Sequence, residues 1–308
     1  MSQELSYTIE EVAQLLKVSK LTIYDLVKKG ELPVFRVGRQ MRMDAKDLEK
    51  YITDSKSLTS PVPIAEPHRN EGKGTPTLVI SGQDMVLDIL GQYIEKDSGH
   101  KTLRSNTGSL SGLISMYNGD SDIVSMHMFD GDTGEYNLPY IKKILVGYPY
   151  ILFNLVSRNA GLYVKKGNPF NLTTWNDLNK DHLTIINRER GSGARILLDE
   201  QLRIHKIPPK SLKGYENEET NHLSVASAVS SGIADVGVGI EKAAKIVGVD
   251  FIPLITERYD LVLLKTPKNE QIIKMVKRIL SSNPFQAEID ALGDYDISRT
   301  GSIIHETF

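Results

Sequence analysis

The chain has 308 residues, 40% of them hydrophobic and 25% charged, with a formal net charge of −2 and no cysteine. The length suits two domains with ample core material, and the lack of cysteine excludes disulfides and thiolate metal sites. The near-neutral balance excludes a chain that coats nucleic acid by bulk charge, so any basic footprint has to be local.

No apolar run is long enough to span a bilayer, and Met1 to Tyr7 lacks the basic and apolar segments of a signal peptide. The expectation is a cytoplasmic protein without a membrane partner.

Residues 1–55 read as a small helical module with a hairpin. Thr8 and Glu11 have the spacing of a capping box, with Thr8 as N-cap and Glu11 reaching back. Ile9, Val12, Ala13, Leu15 and Leu16 then mark one apolar helical face. Ser19 caps a second helix, Lys20 to Lys29, whose Leu21, Ile23, Leu26 and Val27 turn inward. Lys20, Thr22, Tyr24, Asp25 and Lys28 are left to point outward, and Gly30 suits the C′ position. Two short helices joined by a tight turn make a helix-turn-helix pattern. Val34, Phe35, Val37, Met41 and Met43, with a turn near Gly38 and Arg39, predict a β-hairpin or wing. Asp44 caps a third helix through Tyr51. The module is neutral overall, yet residues 20–42 carry six basic and two acidic side chains. That asymmetry fits a DNA-facing side made of the second helix and the wing; the alternative is a solvated surface with a few arginines.

In Tyr7 to Leu16, Val18 to Tyr24, Gly30 to Pro33 and Arg36 to Arg39 the module resembles the excisionase-type DNA-binding domain, a relative of the MerR winged helices. In that family the second helix enters the major groove and the wing touches backbone or minor groove. The resemblance implies groove contacts from Lys20, Thr22 and Tyr24, with Lys28 on the same helix. It implies wing contacts from Arg36, Arg39 and Arg42. The partner is then a double-stranded DNA operator. Residues 56–76, rich in Pro, Ser and Gly, read as a connector.

Residues 77–308 repeat strand, small polar loop and helix, the pattern of an α/β sheet. Thr77 to Ile80 is a strand, followed by Ser81-Gly82 and a helix from Met85 to Ile94. Lys101 to Ser105 is a second strand, and Asn106 to Gly112 opens a helix through Tyr117. Asp122 to Met126 is a third. His127 to Asn137 is a long polar loop whose Asp130, Asp132 and Glu135 lack calcium-loop spacing, so no metal is expected. Tyr150 to Val156 and Gly161 to Val164 read as two strands that cross between lobes. Leu183 to Ile186, then Gly191-Ser192-Gly193, then a helix through Leu202 is the arrangement that points free backbone N–H groups at an anion. Thr220-Asn221-His222 opens a small-residue helix that stops at Gly232. Phe251 to Leu254 and Tyr259 to Leu264 return toward the first lobe, and helices near Glu270 to Leu280 and Phe285 to Leu292 close the chain.

Four helix starts thus have small polar residues: Ser81-Gly82, Gly108-Ser109, Gly191-Ser192-Gly193 and Thr220-Asn221. Each contributes about 0.3–2 kcal/mol toward an anion. Converging between two lobes, they form a cleft of neutral donors for a small dianion, with no lysine at its centre. Plain N-capping is the alternative for each serine alone. Arg188 and Arg195 stand as ligand contacts or lobe-bridging residues.

Segments around Ser81 to Asp84, Gly108 to Leu113, Thr133 to Tyr140, Asn187 to Arg195, Glu219 to His222, Ala234 to Gly237, Glu257 to Leu261 and Tyr295 to Gly301 are similar to cytoplasmic periplasmic-binding-protein-like domains. That group is assigned to molybdate binding and occurs fused to excisionase-type modules. The resemblance implies an α/β fold class: an N-terminal winged helix-turn-helix plus a two-lobed type II periplasmic-binding-protein-like domain. Lobe I spans about 77–155 and 258–308, and lobe II about 156–257. It also implies ligand contacts from Ser81, Ser109, Ser192, the backbone of Thr220 to His222, and Tyr259. With Gly82, Ser111, Gly193 and His222 these make the candidate ligand set.

The resulting expectation is a one-component regulator, dimeric on DNA, with no cofactor and no catalytic set. It senses a small oxyanion, first of all molybdate or tungstate. The alternatives are a phosphorylated or carboxylate metabolite as ligand, an oxyanion store, or an enzyme using His222 as base beside Ser192.

Overall fold

A computed structural model of the chain describes residues 6–16, 18, 20–28, 32–38, 40–48, 51 and 76–308. The predicted cap Ser19, Lys29, Gly30, the wing-tip Arg39 and residues 56–75 of the predicted connector lie outside the described residues. The chain divides into two compact units, Met1–Ala65 and Glu66–Phe308.

In the first unit Thr8 caps the helix as its spacing predicts. Its N–H donates to Glu11 Oε2 at 2.6 Å, and Glu11 N–H returns to Thr8 Oγ1 at 3.3 Å. Helices α1 (Ile9–Leu16) and α2 (Lys20–Lys28) precede the hairpin of β2 (Phe35–Val37) and β3 (Gln40–Asp44). A further strand that the sequence does not announce, β1 (Ser6–Thr8), pairs antiparallel with β3 and makes the wing a three-stranded sheet of order β1-β3-β2. Three residues are too few to show a period of two. Ile9, Val12, Ala13, Ile23, Leu32, Met43 and Leu48 form the buried core. Asp44 Oδ1 accepts from Lys46 N–H at 2.9 Å, opening the third helix, which is described at residues 45–48 and 51.

The second unit is built on a nine-stranded sheet. Its strands are β4 (Thr77–Ser81), β5 (Lys101–Ser105), β6 (Ile123–Met126), β7 (Tyr150–Val164), β8 (Ile185–Arg188), β9 (Glu218–Glu219), β10 (Val236–Ile240), β11 (Asp250–Leu264) and β12 (Ile303–Glu306). The order is β5-β4-β6-β11-β7-β10-β8-β9, with β12 added to β7. Parallel β4, β5 and β6 carry α3 (Val86–Ser98) and α4 (Ser109–Tyr117) between them. Parallel β8 and β10 are joined through α6 (Gly193–Ile204) and α7 (His222–Ser230), and α5 (Leu138–Ile144), α8 (Glu241–Val247), α9 (Glu270–Leu280) and α10 (Asn283–Leu292) complete the helices named here.

The two segments read as pairs of short strands are single strands. β7 and β11 each run 15 residues and pair antiparallel from end to end. At about 3.3 Å per residue each spans roughly 50 Å, long enough to thread both lobes. Polar Ser157, Arg158 and Asn159 interrupt the apolar run of β7 without breaking it, because Arg158 finds buried carboxylate partners. Pro253 sits in β11 where the register shifts between Pro253 and Ile255, a place where the ladder does without its N–H.

Each lobe has apolar clusters on both faces of the sheet. Along β7, Ile151, Phe153 and Leu155 enter one cluster of the first lobe, and Tyr150 and Leu152 the other. Farther along, Ala160, Leu162 and Val164 face α6, and Tyr163 faces the α7 side. Burial on both faces is why these strands read as continuous apolar runs. The 127–137 loop links the lobes. Its Phe129 and Tyr136 enter the second lobe's core, and Gly131 N–H donates to Glu200 of α6 at 2.8 Å.

Candidate functional site

The carboxyl ends of β4, β6 and β8 point toward one small cavity that opens in part to solvent. In such sheets that end is where helix N-termini and loops can reach a ligand. The turn before α3 supplies Gly82 and Gln83, and the start of α4 supplies Thr107, Gly108 and Ser109. The starts of α6 and α7 supply Ser192, Gly193 and His222. The strands add Ser125, His127, Arg158, Arg188 and Tyr259. Residues at or just before four helix starts thus line one cavity within this unit.

Two glycines are required by close approach. Gly82 has φ +140°, and a Cβ there would lie 1.8 Å from Ser125 Oγ. A Cβ on Gly193 would lie 2.5 Å from the His127 ring. The lobes meet over the cavity: Leu110 N–H donates to Gly191 O at 3.0 Å, and Arg188 Nη2 donates to Gln83 Oε1 at 2.7 Å.

The floor is charged, which the sequence reading did not foresee. Arg158, 5% exposed, donates from Nε to Glu257 Oε1 at 2.6 Å and from Nη1 to Asp84 Oδ2. Its guanidinium lies 4.4 Å from the centroid of the Tyr259 ring. Burial opposes the charge on Arg158, and the two carboxylates more than restore it, so its pKa is raised. Burial likewise works to raise Glu257, but His127 and Arg158 outweigh it and hold that carboxyl at about 2. His127 Nδ1 is 3.0 Å from Glu257 Oε2. Burial, then Asp84, pushes the Tyr259 hydroxyl up to about 12, so it stays protonated and bonded to Ser125 Oγ at 2.6 Å. Tyr295 donates to Asp84 at 3.0 Å. Both carboxylates are thus spent behind Arg158, and among the described residues none lines the cavity.

Two residues that line the cavity each hold a polar atom with no hydrogen-bond partner. Thr107 Oγ1 and His222 Nδ1 are buried and unsatisfied. Burial first, then Arg188, Arg158 and His127, holds the His222 pKa well below 6.5, so the ring is neutral at pH 7. Arg188 is 3% exposed and gives Nε and Nη2 to Glu189 at 2.7 and 2.8 Å, and Nη2 to Thr220 O at 3.2 Å.

Of the predicted ligand residues, Gly82, Ser109, Ser192, Gly193, His222, Tyr259 and Arg188 line the cavity. Four predicted residues do not. Ser81 points away and shares a 2.7 Å hydrogen bond with Ser121. Ser111, in the first turn of α4, is exposed. Thr220 is exposed and offers only its carbonyl, to Arg188. Arg195 belongs inside the second lobe, bonded to Asp199 and to Glu218 at 2.7 Å and stacked 4.4 Å from the Tyr215 ring. The cleft of neutral donors is corrected too, since Arg158 and Arg188 bring two guanidinium groups into it. Gln83, Thr107, Ser125, His127 and Arg158 were missed. The polar interruption of β7 at Arg158 was the one available signal.

In the first unit Tyr24, Lys28 and Arg36 are exposed, and Lys20 is exposed but paired with Glu10 at 2.5 Å. The side chain of Thr22 and all of Arg39 lie outside the described residues. Arg42 is half-buried and donates to Ser6 Oγ at 3.2 Å, tying β3 to β1.

Comparison with known proteins agrees with this division. Residues 6–56 match a helix-turn-helix domain family, and residues 91–281 match the PBP superfamily domain. The Bacillus subtilis uncharacterized protein YvgK is 51% identical over 311 aligned residues that cover 100% of both chains. The ancestral amino acid-binding protein AncCDT-1, a precursor of cyclohexadienyl dehydratase, has a similar fold, with TM-score 0.52 and 17% identity over 70% of this chain and 95% of its own. A Corynebacterium glutamicum OxyR mutant with hydrogen peroxide bound has TM-score 0.52 and 13% identity over 92% of this chain and 89% of its own. No helix among the described residues is long and apolar enough to cross a membrane.

Proposed function

The chain belongs to the PBP superfamily, and from that premise we propose that it is a DNA-binding transcription regulator whose second unit senses a small oxyanion, first of all molybdate or tungstate. The observation that carries the reading is the pair of orphaned polar atoms, Thr107 Oγ1 and His222 Nδ1, on residues that line a cavity fed by helix N-termini and Arg188. A buried unsatisfied polar group costs about 1–3 kcal/mol, which a ligand of matching polarity recovers.

The lining favours an oxyanion that carries no proton at neutral pH. Ser109, Ser192, Thr107 and Arg188 offer donors, and no carboxylate lines the cavity to accept a proton from hydrogen phosphate. Arg188 also supports a second ligand class, a carboxylate or phosphorylated metabolite, since a guanidinium pairs with either. Binding across the lobe contact at Gln83–Arg188 and Leu110–Gly191 favours the closed arrangement, and closure is the step that changes the affinity of the helix-turn-helix unit for its operator. The regulator is cytoplasmic, acts as a homodimer, and has no catalytic role.

Calorimetry of the full chain with molybdate, tungstate, sulfate and phosphate tests the ligand. Heat with molybdate or tungstate supports the reading, and no heat with any of the four sinks the oxyanion assignment. A mobility-shift assay on DNA flanking the gene separates a regulator from a mere oxyanion store, which would not retard that DNA at low salt.

A further inference from the structure

His222 is not needed for the fold's polar bookkeeping, and that is what makes it informative. It sits in the first turn of α7, is 9% exposed, and its Nδ1 has no partner. The His127 ring lies 6.3 Å away, centroid to centroid, and Arg188 and Arg158 are the charged groups that face it. Of the other elements packed against α7, β10 carries no ionisable side chain, and Glu218 of β9 is taken by Arg195. Glu219 follows it on β9. Tyr163 of β7 is bonded to Ile240, and Glu241 and Lys245 of α8 pair with each other, while Lys242 reaches toward Asp294. His222 therefore meets two guanidinium groups on its cavity side, Arg158 paired with Asp84 and Glu257 and Arg188 with Glu189, and has no carboxylate partner of its own.

A neutral imidazole presents one N–H and one lone pair. An oxyanion offers acceptors only, so a lone pair turned toward it repels. Taking up a proton converts that lone pair to a second donor. The cost of protonation is burial first and then the positive potential of Arg188, Arg158 and His127, and a doubly charged ligand offsets it where a singly charged one does so far less.

We propose that His222 makes the cavity selective for dianions: a dianion binds together with one proton, taken from solvent by the imidazole, whereas a monoanion of the same shape binds without it. This rests on the oxyanion reading above. Below the unliganded pKa of His222 the proton is already present, and above the liganded pKa it is absent in both states. Between the two, dianion affinity falls about tenfold per pH unit.

Calorimetry of the full chain at about pH 7, in two buffers of different ionisation enthalpy, reads the proton directly. Tungstate and perrhenate are the probes, tetrahedral ions of similar size that differ by one charge. The expected result is uptake of roughly one proton per tungstate and near none per perrhenate. Tungstate should also bind more than about tenfold tighter than perrhenate. In His222→Asn the uptake disappears and the two affinities converge to within about threefold; Trp175 fluorescence checks that this variant is folded. Tungstate binding without proton uptake, or perrhenate binding as tightly as tungstate, overturns the proposal while leaving the oxyanion reading standing. These two wild-type results need no variant. If neither ion binds, the oxyanion reading fails and this proposal with it.

Discussion

Replacing Glu257 by Gln removes one of the two carboxylates that hold Arg158 in the cavity floor. Glu257 is 1% exposed, and its carboxyl is held at about 2 against an ordinary 4.5. A carboxyl lowered that far stabilises the folded state by roughly 3 kcal/mol at neutral pH. Breaking a buried ion pair by removing one partner costs about 3–5 kcal/mol, so two independent routes agree. The sign follows from the lowered pKa: the stabilisation is fully present above about 4.5 and is lost as pH falls toward 2. Urea unfolding followed by Trp175, the chain's single tryptophan and a residue of the second unit, reads this unit alone. Glu257→Gln should lower stability by about 3 kcal/mol at pH 7 and flatten the acid limb between pH 5 and 2. A loss below about 1 kcal/mol, or an unchanged acid limb, would refute the view that Glu257 is ionised and paired.

Other outcomes separate cavity residues from their neighbours. Arg188→Met should weaken oxyanion binding about 10–100-fold, whereas Arg195→Met should leave it within about threefold and lower only stability, as seen by calorimetry beside urea unfolding. Gly193→Ala forces a Cβ into the His127 ring at 2.5 Å, and titration calorimetry should show binding lost. Ser109→Ala should reduce affinity, while Ser81→Ala, which loses only its bond to Ser121, should cost about 1 kcal/mol of stability and little affinity. Arg36→Ala should weaken operator binding evenly across sequences and lower its salt slope by about 1.

The parts of this molecule that follow from local chemistry were legible in the sequence. Thr8 and Glu11 announced their capping box, and the glycine-serine turns announced the helix starts that meet at the cavity. Which side of each turn faces the ligand was not legible. Ser81 and Ser109 occupy similar places in similar motifs, yet the last residue of β4 turns toward Ser121 and the first of α4 toward the cavity. The register of the sheet decides that, and register is a long-range property. Arg158 was hidden for the same reason. Its partners Asp84 and Glu257 lie 74 and 99 residues away in sequence, so a residue that falls between two expected strands forms buried ion pairs in the middle of one 15-residue strand. Arg195 shows the converse: beside the Gly191-Ser192-Gly193 turn it stood as a ligand contact or a lobe-bridging residue, but Asp199 lies four residues along the same helix and keeps it within the lobe.

The central claim is that an anion in the second unit changes what the first unit does on DNA. The direct measurement is operator affinity of the full chain at fixed salt, with and without saturating tungstate. A coupling of about 1–3 kcal/mol predicts a 5–150-fold change in affinity, in either direction, that is abolished by Arg188→Met. Tungstate binding that leaves operator affinity unchanged would contradict the account.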